Sequence, residues 1–107
     1  MNETLIANLR AQCGGPRDGA LLRFSLGNAL LATGDATAAA VELKQAVAFD
    51  PNYSAAWKLL GKACLMLDDK TGAAEAWRQG VAAAQARGDK QAEKEMTVFL
   101  KRVERQE

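Results

Sequence analysis

Lys58 and Lys62 stand four residues apart. That is one helical turn, so both ammonium groups project from one side and could hold a carboxylate between them. Lys90 and Lys94 repeat the spacing. Few other residues offer chemistry. Asp68 and Asp69 are adjacent carboxylates, but a helix–helix turn is the ordinary place for such a pair. Cys13 and Cys64 are too few and too far apart for a disulfide framework or a zinc site. There is no histidine. The usual general base near neutral pH and the commonest metal ligand are therefore missing, and a cysteine nucleophile has no imidazole partner. No glycine-rich phosphate-binding pattern occurs. These residues point to binding and away from catalysis, with no cofactor and no metal expected.

Composition narrows the partners. At 107 residues the chain reads as one domain, able to bury about two-thirds of its unfolded surface. Charged residues make up 25% and the net charge is +1, which gives no reason to expect nucleic acid or an anionic membrane as a partner. No apolar run approaches the roughly 20 residues needed to span a bilayer. Met1-Asn2-Glu3-Thr4 shows no basic segment leading into an apolar one, so no secretory signal is visible. With two unpaired cysteines, the expected location is the cytoplasm.

The elements that must position these residues are all helices. Residues 3–13 form a first helix with Leu5, Ile6 and Leu9 as its apolar stripe, stopped at Gly14-Gly15-Pro16. Asp18 is placed to cap a second, about 19–33, that Gly34 ends in a left-handed turn. Asp35 or Thr37 caps a third, about 36–49, with Ala39, Ala40, Leu43, Ala46 and Val47 inward; Asp50-Pro51 closes it. Asn52 or Ser54 caps a fourth, about 53–67, where Asp68 takes the place that Gly34 held. A fifth runs about 70–87 and ends at Gly88. A sixth, about 90–105 and capped by Asp89, carries the stripe Ala92, Met96, Phe99, Leu100 and Val103.

The second to fifth helices repeat. Shifting by 34 residues lays Leu26 and Gly27 on Leu60 and Gly61, Asp35 and Thr37 on Asp69 and Thr71, and Gln45 and Val47 on Gln79 and Val81. A period of 34 is one helix–turn–helix unit. Gly27 and Gly61 lie inside helices, where glycine costs about 1 kcal/mol relative to alanine. Close approach of a neighbouring helix accounts for both. Trp57 and Trp77 are expected to be largely buried in the repeat core.

The pattern resembles the tetratricopeptide repeat, W-x2-L-G-x2-Y, then A-x3-F, then P. The second copy reads Trp57, Leu60, Gly61, Cys64, Ala73 and Trp77; the first reads Arg23, Leu26, Gly27, Leu30, Ala39, Leu43 and Pro51. Arg23 stands for the usual Trp, Cys64 for Tyr, Gly80 for the last small Ala and Gln85 for the closing Pro. The resemblance implies an all-α fold: a right-handed superhelical stack of antiparallel helix pairs, about six helices in all. Residues 1–19 would be an N-terminal capping helix and loop, 20–53 and 54–87 the two repeats, and 88–107 a C-terminal capping helix.

It further implies that the first helix of each pair lines a concave groove. The face opposite the buried stripe then offers Leu21, Phe24, Asn28 and Leu31, next Lys58, Lys62 and Met66, and on the last helix Lys90 and Lys101. This groove grades from apolar to basic, and Phe24 is a candidate anchor. Some relatives grip acidic C-terminal peptides with a clamp of Lys and Asn; Asn28, Lys90 and Lys94 match clamp positions, whereas Phe24 and Leu59 do not. The resulting expectation is an adaptor that takes a peptide or helix of a partner protein carrying acidic groups. The alternative is a self-associating structural protein, a homodimer formed through the groove or a capping helix.

Overall fold

The computed structural model describes residues 2–106. Among them are six helices and no strand: α1 Asn2–Gln12, α2 Ala20–Ala32, α3 Ala36–Phe49, α4 Ser54–Met66, α5 Lys70–Arg87 and α6 Lys90–Gln106. Each helix packs on the next along the chain, α1 on α2 included. In addition α2 touches α4, and α4 touches α6, whereas α3 and α5 do not pack on one another. First helices are therefore drawn together on the inner side of the stack, and second helices splay apart on the outer side.

The three tight turns share one construction. Asp35 N–H donates to the Leu30 carbonyl at 2.9 Å, Asp69 N–H to Cys64 at 2.8 Å, and Asp89 N–H to Ala84 at 2.8 Å. Such a bond back into the last turn needs a left-handed residue before it. Gly34 (φ 86°), Asp68 (φ 61°) and Gly88 (φ 71°) supply it. The aspartate that follows caps the next helix: Asp35 accepts from Ala38 N–H, Asp69 from Gly72 N–H and Asp89 from Ala92 N–H, at 2.9–3.1 Å. Each aspartate thus closes one helix with its backbone N–H and starts the next with its side chain.

Two expected caps are different in the structure. Asp18 does not cap α2, whose N-cap is Gly19. Its carboxylate instead takes both Nε and Nη2 of Arg23 at 2.9 Å and the Gly14 and Gly19 N–H groups. Neither Asn52 nor Ser54 caps α4. Tyr53 is the N-cap, with no side-chain bond, and Ser54 is buried within the first turn.

Arg23 explains the departure at the motif's first tryptophan position. A cation in that half-buried place needs partners on more than one element. Asp18 provides one pair and Glu42 of α3 another, at 2.8 Å from Nη1. The loop between α1 and α2 is thereby tied to the first repeat. Hydrogen bonds from Arg23 hold the Asp18 carboxyl well below its ordinary value of 3.8, with the Gly14 N–H adding to the effect. A depressed carboxylate contributes stability that is complete above its unfolded value and is lost as pH falls through its folded value. Asp18→Asn is therefore expected to melt below wild type at pH 7, with the gap closing in acid below about pH 4. Melting curves across pH check this; a gap that stays constant into acid would exclude the pairing.

The core is made of alanines and a few large residues. Leu26, Leu43 and Met96 are the largest fully enclosed side chains. Glycines mark where helices meet. A Cβ on Gly27 would lie 2.6 Å from Leu43 Cγ, and one on Gly61 would overlap the Trp77 indole. At Gly80 it would meet Met96 Sδ and stand 2.9 Å from Trp57 Cβ. Gly80 is thus the close contact that lets α5 wedge between α4 and α6. Trp77 is 2% exposed, and its indole N–H donates to the Lys58 carbonyl at 3.2 Å. Trp57 is less enclosed than Trp77. It is only half-buried, with its indole N–H on the exposed Pro51 carbonyl at 2.7 Å. The reason is the outer splay: α3 and α5 do not close over it.

Candidate functional site

The face formed by α2, α4 and α6 carries most of the residues singled out for binding. Leu21 is 69% exposed and Met66 57%. Asn28 is exposed and Leu31 half-buried. Phe24 is held within the protein: its ring stacks on Tyr53 with centroids 5.0 Å apart, and it packs beside Trp57. It joins α2 to the start of α4.

The lysines fall into separate groups. Lys58 Nζ pairs with Glu95 of α6 at 3.2 Å, so a partner's carboxylate would have to compete with Glu95 for it. Lys62 lies over the Phe99 ring, 5.5 Å from its centroid, a cation–π arrangement. Lys90 belongs elsewhere. With Lys94, Glu93, Thr97 and Val98 it lines a depression on α6 alone. At about 100° per residue, Lys90 and Lys101 point roughly 120–180° away from Glu95 and Phe99, the residues that meet α4. Lys90 and Lys101 are therefore on the open end of the stack, apart from Lys58 and Lys62.

A second hollow lies on the opposite side. About 490 Å³ open between α3 and α5, over α4. Val47, Trp57, Leu60 and Cys64 make its apolar lining, with Lys44 on one rim and Glu75 on the other. Sequence reasoning did not find it. The available signal was the small residues Ala48, Gly72 and Ala76, which leave its walls bare. At its base burial pushes the Cys64 thiol up, and nearby Asp69 adds to that. Among the described residues no group of three or more His, Cys, Asp or Glu could hold a metal ion. No described helix is long and apolar enough to cross a membrane.

Comparison with known proteins agrees with this geometry. The family model described as "Tetratricopeptide repeat" matches residues 20–63. A TPR repeat-containing protein of Pseudomonas aeruginosa is 58% identical over 88 residues, which cover 82% of this chain and 84% of that one. A solution structure from Bordetella parapertussis superposes with TM-score 0.79 at 44% identity, covering 95% of this chain and 89% of the other. The crystal structure of the Sgt2 TPR domain from Aspergillus fumigatus gives TM-score 0.80 at 28% identity, covering 98% and 67%. With its motif, its period and its paired helices accounted for, the chain belongs to the tetratricopeptide repeat family. That fold generally mediates protein–protein interaction.

Proposed function

We infer that the protein is an adaptor module that holds a peptide or helix of a partner protein on the α2–α4–α6 face. The observation that carries this reading is Leu21 and Met66, large apolar side chains left open on that face, with Asn28, Leu31 and Lys62 along it. Apolar anchors beside a cation suit a segment with one bulky residue and an acidic neighbour. Binding by one such face is typically micromolar, about −8 kcal/mol. Its charged part weakens as salt shortens the Debye length from about 8 Å to about 3 Å. Free thiols at Cys13 and Cys64 accord with a cytoplasmic setting.

The test uses immobilised wild-type protein, Leu21→Glu with Met66→Glu, and Glu75→Lys as a control on the opposite side. A partner kept by wild type and the control but lost by the double variant is the expected result. Retention by all three would place binding on another surface. Light scattering on the same proteins addresses self-association: a tight wild-type dimer that the double variant dissociates would replace the adaptor reading.

A further inference from the structure

Between the C-terminal halves of α4 and α6 lies a pocket of about 250 Å³. Its inner surface is apolar. Trp77 and Phe99 meet there with centroids 5.3 Å apart and planes tilted by 46°, Val103 is buried beside them, and Leu65, 40% exposed, stands at the edge. The volume falls below the roughly 300–1,000 Å³ of small-molecule sites, so it suits one large side chain of a partner rather than a whole ligand.

The rim carries one cation from each helix, Lys62 from α4 and Arg102 from α6, and no carboxylate lines the space. The described glutamates of α6 are already engaged. Glu93 accepts from the Gln85 amide at 3.0 Å, Glu95 holds Lys58 and Glu104 holds Arg78, both at 3.2 Å. Among the described residues neither Lys62 nor Arg102 forms an ion pair. An apolar hollow between two uncompensated cations is complementary to an apolar group flanked by anions.

We propose that this pocket receives a large apolar side chain from an acidic amphipathic helix of a partner protein, with carboxylates one turn before and after it meeting Lys62 and Arg102. The groove between two neighbouring helices is filled best by the ridge of a third. On such a ridge, residues three and four apart project together, so one apolar side chain and both carboxylates reach the pocket and its two rims. This assignment rests on the reading of the chain as an interaction module and specifies the chemistry of one subsite.

The probe is an acetylated and amidated, alanine-rich helical peptide with the pattern Glu-x3-Phe-x2-Glu. It is titrated into isotope-labelled protein and followed by nuclear magnetic resonance. The Trp77 indole N–H reports the pocket, and the Trp57 indole N–H, bonded to Pro51 on the outer side, is the internal reference. The Trp77, Phe99 and Val103 signals should move while the Trp57 indole stays. Exchanging both peptide glutamates for lysine, or the phenylalanine for alanine, should weaken binding about tenfold or more. Lys62→Glu with Arg102→Glu should do the same and should restore binding of the lysine peptide; both residues are exposed, so the variant's melt should match wild type. Equal binding of the glutamate and lysine peptides, movement of Trp57 in place of Trp77, or no movement at millimolar peptide would each overturn the assignment. A partner still retained by the Lys62→Glu, Arg102→Glu variant would leave the adaptor reading intact and remove only this subsite.

Discussion

Trp77→Ala is expected to be the most damaging single substitution in the chain, lowering stability by about 3–5 kcal/mol, the range for truncating a buried aromatic. The indole is 2% exposed and is enclosed by Gly61 of α4 and Phe99 of α6. Its removal leaves a cavity at the junction of three helices and frees the Lys58 carbonyl. Trp57→Ala should cost less, because that ring already borders the outer groove. Denaturant unfolding of the two variants decides the order. If Trp57→Ala were the worse, the assignment of Trp77 as the central packing residue would be wrong.

Gly61→Leu is the second large effect. A side chain here gains helix propensity of about 1 kcal/mol, yet its Cβ alone would overlap the Trp77 ring, with Cδ1 at 2.7 Å. The indole is rigid and enclosed, so it cannot swing aside as the end of a flexible chain could. Overpacking of this kind costs about 1–3 kcal/mol. The two sites touch, so their effects should not add. In the double variant the new leucine occupies part of the space the tryptophan vacates. The double should therefore be more stable than the sum of the single losses implies. Strict additivity in the same unfolding series would show that Gly61 and Trp77 do not share that space.

Most of the fold was legible because its signals are local. The spacing of Leu26, Gly27 and Leu30, and again of Leu60, Gly61 and Cys64, defines a helical face within a few residues. Gly34, Asp35, Asp68, Gly88 and Asp89 announce their turns and caps through their own backbone preferences. The glycines at 27 and 61 foretold close helix contacts because a costly residue inside a helix needs a reason. Arg23 could have been read further: a cation at a tryptophan position demands acids, and Asp18 and Glu42 were available.

The candidate site was less legible, because exposure depends on neighbours that arrive from distant sequence. Phe24 and Leu21 look alike on a helical wheel, yet Tyr53 covers one and nothing covers the other. Lys58 and Lys62 share a helix face, but Glu95 engages the first and Phe99 underlies the second. Lys90 and Lys101 match the repeat phase, yet α6 turns them to the open end. The outer groove exists only because α3 and α5 diverge while α2, α4 and α6 stay in contact. Periodicity alone determined which residues form helices, where those helices stop and which faces are apolar. Tertiary structure decided which apolar and charged groups remain free to bind, since the curvature of the stack brings together residues 37 positions apart, as from Lys58 to Glu95.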